Sequence, residues 1–128
     1  MSTGYSEKPL AQKLGFSPGD VIYTETTPPW YSDFADENEL ELAPSLPATH
    51  AHLFILSGDE LTYFLKHTDL KQIEKSLWVS WPKKSSKLVA DIGEQDLRDS
   101  ILPTGWVDTK IAAIDETWSG LKFLRRKK

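Results

Sequence analysis

The fold turns on one stretch: His50-Ala-His-Leu-Phe-Ile-Leu56-Ser57-Gly-Asp-Glu60-Leu-Thr-Tyr-Phe-Leu65. Leu53-Phe-Ile-Leu56 is unbroken apolar sequence, the mark of a strand covered on both faces. Ser57 and Glu60 have the spacing of a capping box. Leu61, Phe64 and Leu65 then fall at i, i+3 and i+4, so a helix starts directly behind the strand. Such a step is half of a βαβ unit.

Working outward, Pro9-Leu10-Ala-Gln-Lys-Leu14-Gly15 predicts a short helix that Gly15 ends. Ser17-Pro-Gly-Asp20 is turn chemistry, residues 20–24 a first strand, and Thr26-Thr-Pro-Pro29 its end. Residues 33–42 are acidic and hold either a short helix or, at Leu40-Glu-Leu42, a strand fragment. Residues 50–56 are the second strand, and Leu70 and Ile73 extend the following helix or form a second turn. Residues 77–81 are a third strand, stopped by Pro82. Asp91 with Glu94 repeats the capping pattern before a helix that buries Leu97 and Ile101 and breaks at residues 103–105. Residues 107–114 and 121–125 are the last two strands. A turn over residues 115–120 joins them, with Gly120 free to take positive φ. The expected fold is a three-layer, Rossmann-like α/β open sheet of about five strands in the order 1-2-3-5-4, the last strand antiparallel.

The length, 128 residues with 39% hydrophobic and 27% charged, predicts one globular domain over residues 1–128 with flexible ends at 1–6 and 126–128. There is no cysteine, which removes disulfides, thiolate zinc sites and cysteine nucleophiles. The polar start and the short apolar runs lack both a signal peptide core and the ~20 residues of a membrane span. A cytoplasmic location without membrane attachment is the expectation. Residues 14–65 carry nine acids and no Lys or Arg, whereas residues 66–128 carry thirteen basic residues. The net charge of −4 therefore hides an acidic and a mildly basic region.

Leu14-Gly-Phe-Ser-Pro-Gly19, Trp78-Val-Ser-Trp-Pro-Lys-Lys84 and Asp115-Glu-Thr-Trp-Ser-Gly-Leu-Lys-Phe123 together resemble an uncharacterised bacterial family of small single-domain proteins, a domain of unknown function, over about residues 5 to 126. That resemblance implies no activity. More loosely, the chain is similar to the core of class I methyltransferases, whose sheet also closes with an antiparallel hairpin. In that family a glycine-rich turn after strand one approaches the cofactor and an acid ends strand two. Here the turn is Glu25-Thr-Thr-Pro-Pro-Trp30, without glycine, and strand two runs into Ser57-Gly58. The likeness supports the fold and argues against the cofactor; no cofactor is expected.

Ligands of open α/β sheets bind at the carboxyl ends of the strands. Residues 26–30, 57–59, 81–84 and 115–119 should meet there. The candidate ligand-binding residues are Trp30, Ser57, Lys83, Lys84, Asp115, Glu116, Trp118 and Ser119, beside Trp81. One expectation is a non-enzymatic binding or regulatory domain holding a small anion or a protein partner. The alternative is an enzyme acting on a small polar substrate, with Asp115 or Glu116 as acid/base and Lys83 or Lys84 as electrostatic stabiliser. The same residues also read as an ion-paired, aromatic-capped sheet end. Ser119 lacks a histidine base nearby. His50-Ala-His52 puts two imidazoles on one strand face, as a metal site can use, but at the amino end, away from the crevice; no metal is expected. The basic tail, Leu124-Arg-Arg-Lys-Lys128, reads as solvated, and nucleic acid is not an expected partner.

Overall fold

The computed structural model describes residues 8–126 of the 128-residue chain. The expected flexible start and the last two lysines of the basic tail lie outside the described residues. Helices α1 (Leu10–Leu14), α2 (Tyr31–Glu37), α3 (Gly58–His67) and α4 (Glu94–Ile101) alternate with strands β1 (Val21–Tyr23), β2 (Glu41–Ala43), β3 (Ala48–Phe54), β4 (Ile73–Pro82), β5 (Trp106–Ala113) and β6 (Trp118–Arg125). Short 3₁₀ turns, Leu70–Gln72 and Leu102–Thr104, lead into β4 and β5.

The strands form one sheet in the order β2-β1-β3-β4-β6-β5. β1 pairs parallel with β2 and β3, and β3 with β4; β6 runs antiparallel between β4 and β5. The order expected for five strands is present, and β2 adds a sixth at the edge. Residues 33–42 satisfy both expectations at once. α2 ends at Glu37, Glu39 takes φ +58, and the chain turns straight into β2.

The sheet is covered on both faces. On one, Leu61 and Phe64 of α3 and Leu97 and Ile101 of α4 pack on Leu53, Leu77, Val79 and Phe123. On the other, Leu14 and Phe16 from α1 and its exit, with Tyr31 and Phe34 of α2, pack on Ile22, Phe54 and Trp78. β3 and β4 lie between the layers and are buried along most of their length; β3 ends at Phe54, so Ile55 and Leu56, expected in the strand, lie just beyond it. α1 is held to the sheet by hydrogen bonds: the Trp78 indole N–H to Leu14 O (2.9 Å), Lys110 Nζ to Lys13 O (3.1 Å) and Lys13 Nζ to Ala113 O (3.0 Å).

Two local expectations are corrected. Asp91 does not cap α4. Gly93 opens that helix, with Asp96 accepting its N–H at 2.9 Å, while the Asp91 carboxylate accepts the Gly58 N–H at the start of α3, also at 2.9 Å. The hairpin turn occupies residues 114–117, closed by Ile114 N–H on Trp118 O at 2.9 Å. Gly120 is therefore a strand residue, and packing explains it: a Cβ there would lie 2.9 Å from Ile114 Cδ1 and 3.1 Å from Trp78 Cε3.

Candidate functional site

β1 and β3 leave the sheet's middle in opposite senses, to β2 on one side and β4 on the other, so their carboxyl ends flank a topological switch point. A crevice of about 830 Å³ opens there. Its walls are the β1–α2 loop from Thr26 to Trp30, Phe54 and Leu56 at the end of β3, the hairpin turn from Asp115 to Trp118, and residues 85–88. A smaller hollow of about 470 Å³ adjoins it through Thr26, Phe54 and Glu60, and adds the carboxylates of Glu25 and Asp59.

Asp115 organises this end of the molecule. Its Oδ1 accepts the N–H groups of Thr117 (2.8 Å) and Trp118 (2.7 Å), and its Oδ2 accepts the Trp30 indole N–H at 2.9 Å. One carboxylate thus shapes the hairpin turn and ties it to the β1–α2 loop. The Trp118 ring meets Phe54 edge-on, at 5.1 Å between centroids, and Trp30 stands edge-on to Phe34 at 5.9 Å. Two half-buried indoles are held in fixed orientation as a result.

Of the residues expected here, Trp30, Asp115, Glu116 and Trp118 meet in the crevice. The other four do not line it. Ser57 is the N-cap of α3, its Oγ accepting the Glu60 N–H at 3.2 Å. Ser119 sits inside the ladder between Trp81 and Ala113. Lys83 and Lys84 line a separate cleft of about 800 Å³ between Trp81 and the start of α4. The lysine in the crevice is instead Lys87, beside the hydroxyls of Ser85 and Ser86, which the capping and strand signals gave no means of placing. Among the expected carboxylates, Asp115 is engaged by three donors, and Glu116 is exposed on the turn.

His50 and His52 share a strand face, as their spacing requires, but lie in mid-strand within the core at 2% and 0% exposure. This corrects their placement at the strand's amino end. His50 Nε2 is 3.0 Å from Asp20 Oδ2 and its Nδ1 is 2.6 Å from Ser76 Oγ. His52 lies 2.7 Å from the Tyr31 hydroxyl and 3.0 Å from Ser80 Oγ. Burial pushes the His52 pKa down to about 3, assisted by His50, and burial also lowers His50 against the pull of Asp20. The Asp20–His50–Ser76 row has the groups of an acyl-transfer triad. Ser76 is 1% exposed, however, and the Phe16 ring covers His50 at 4.6 Å between centroids. No substrate carbonyl reaches that hydroxyl, so the row is a core hydrogen-bond network. Both imidazoles have each ring nitrogen engaged, and among the described residues no three His, Asp or Glu side chains gather as a metal cluster. No described helix is long and apolar enough to cross a membrane.

No family model matches the chain, and no curated protein matches it by sequence. Solved structures match by fold. A protein of the NADB-Rossmann superfamily from Streptococcus agalactiae superposes with TM-score 0.55 at 11% identity, covering 100% of this chain and 72% of that one. TrmK of M. capricolum, in complex with S-adenosyl-homocysteine, gives TM-score 0.57 at 10% identity over 93% and 68% of the two chains. Magnesium protoporphyrin IX methyltransferase from Synechocystis, with bound SAM, gives 0.59 at 11% over 91% and 74%. These likenesses define the class: a Rossmann-like α/β open mixed sheet of the kind found in class I methyltransferases. At such identities the likeness is one of fold.

Proposed function

We propose that this chain is a non-enzymatic binding domain whose strand-end crevice takes a small molecule with a flat apolar part and a few hydrogen-bonding groups. The observation that carries this reading is the concave crevice of about 830 Å³ with Trp30 and Trp118 fixed in its walls by Asp115 and Phe54. Sites for small ligands are concave, largely apolar and aromatic, and furnished with few polar groups. Asp115 is committed to the turn and to Trp30, which favours binding over acid/base chemistry by that residue. Lys87 is the cation among the crevice's lining residues, which also include Glu60, Asp115 and Glu116, so a neutral or mixed-charge ligand suits it better than a strongly anionic one. The membership of the uncharacterised bacterial family suggested by the three sequence motifs is compatible with this reading.

The test is an NMR titration with benzamide, benzoate and benzylamine as neutral, anionic and cationic flat probes. Saturable shifts of the Trp30 and Trp118 indole N–H signals, weakened by Leu88→Asp and lost with Trp118→Ala, are the expected result. The absence of any saturable shift with all three probes would sink the proposal.

A further inference from the structure

Strand-to-helix connections in α/β folds usually run about 2–6 residues, and β3 reaches α3 through residues 55–57 alone. β4 reaches α4 only through residues 83–93, with no helix or strand between. Both ends of this long connection are anchored. The Lys83 N–H bonds Thr117 O at 2.8 Å, the Asp91 N–H bonds Leu56 O at 3.1 Å, and the Asp91 carboxylate holds Gly58. Ile92 is then buried in the core at 8% exposure.

Between the anchors the loop bonds only to itself among the described residues, through Ser86 N–H on Lys83 O (3.0 Å) and Leu88 N–H on Ser86 Oγ (3.3 Å). Its near side, residues 85–88, walls the crevice. Its apex presents two adjacent aliphatic side chains to water, Leu88 at 45% and Val89 at 91% exposure. Leu88 borders both the crevice and the cleft of Lys83 and Lys84, and Val89 beside it borders the cleft. A segment hinged at two fixed points, bonded only locally and carrying water-exposed aliphatic groups at a cavity mouth has little to oppose a swing inward. Burial of Leu88 and Val89 would favour that swing.

We propose that residues 84–90 form a lid that closes over the crevice. Lys83 and Asp91 are its hinge points, Leu88 and Val89 its apolar underside, and Lys87 the charge it carries onto the bound molecule. The inference rests on the crevice being a binding site and adds how that site is shut from water.

The chain has no cysteine, so Val89→Cys provides a single thiol for a bimane label, which indole quenches on contact. The expected result is a dim label that brightens when Trp118→Phe or Trp30→Phe is added, while the same label at Ile111→Cys on β5 is indifferent to both. Equal brightness at position 89 with and without the two indoles overturns the lid. A second measurement avoids dependence on the tryptophans. With Thr27→Cys and Val89→Cys together, a disulfide forming in the folded monomer under glutathione buffer supports closure, and a pair that stays reduced overturns it. Closure is read here without a ligand. Failure of the lid therefore leaves the benzamide, benzoate and benzylamine shifts in place, and failure of the crevice as a binding site leaves the quenching in place.

Discussion

Tyr31 and His52 meet in the core, hydroxyl oxygen to Nδ1, at 2.7 Å, with no water-exposed surface left on either residue. The contact fastens the first turn of α2 to the middle of β3, and it functions only with a neutral imidazole, because the ring is fully buried.

Stability should therefore fall as the medium is acidified. The His52 pKa is near 6.5 in the unfolded chain and pushed down to about 3 in the folded one. Its contribution is complete above pH 6.5 and lost progressively as pH falls toward 3. At pH 5 the loss from this group is of order 2 kcal/mol. His50, lowered in the same direction, adds to the slope. Urea melts at pH 7.5, 6 and 5 should show the decline, and His52→Asn should be less stable at pH 7.5 yet flatter with pH. An unchanged slope in His52→Asn would locate the acid sensitivity elsewhere.

The crevice should not take dinucleotides or S-adenosylmethionine. The loop after β1 presents Pro28 and Pro29 to it, and proline has no N–H to give a phosphate or a carboxylate. Calorimetry should find no dissociation constant below about 100 μM, roughly −5.5 kcal/mol, for NAD or for S-adenosylmethionine. Tighter binding of either would show that another part of the loop supplies the donors.

The two acids of the hairpin turn should behave differently. Asp115→Ala removes the acceptor of two backbone N–H groups and of the Trp30 indole. It should cost about 1–3 kcal/mol in a denaturant melt, the range for donors left unsatisfied. Glu116→Ala and Lys84→Ala, at exposed positions, should stay within about 0.5 kcal/mol. Equal costs for Asp115 and Glu116 would contradict the role given to Asp115.

Gly120→Ala should destabilise by about 1–3 kcal/mol, since its methyl group would press on Ile114 and Trp78. If this crowding is the cost, adding Ile114→Ala to Gly120→Ala should recover part of it, which it would not do if the glycine served a turn. Thermal melts of the two variants separate these readings.

The central strands were legible from short apolar runs covered on both faces, Leu53-Phe54 at the end of β3 and Leu77-Trp-Val79 in β4. The hairpin was legible because two β-rich runs flank a short polar turn. β2 was legible only as one of two readings, the Leu40-Glu-Leu42 fragment, because three edge residues with no fully buried side chain leave almost no pattern. At the site, Trp30, Asp115, Glu116 and Trp118 were placed by topology alone, since loops at strand ends must converge. Lys83 and Lys84 misled because they begin a long loop: the sequence position that leaves a strand end says nothing about which side of the loop a side chain takes. The histidine networks were half visible. The spacing of His50 and His52 put them on one face, but Asp20, Tyr31, Ser76 and Ser80 lie 21 to 30 residues away in the chain.

The three hydrogen bonds that fasten α1 to the sheet join residues 64, 97 and 100 positions apart. A helix of five residues is too short to persist by itself in water, so it waits for those distant partners. Contacts so remote in sequence form late because the intervening loop must first be closed. Docking of α1 on Trp78 and on β5 is therefore expected as a late step of folding, to be read as late amide protection of residues 10–14 in refolding.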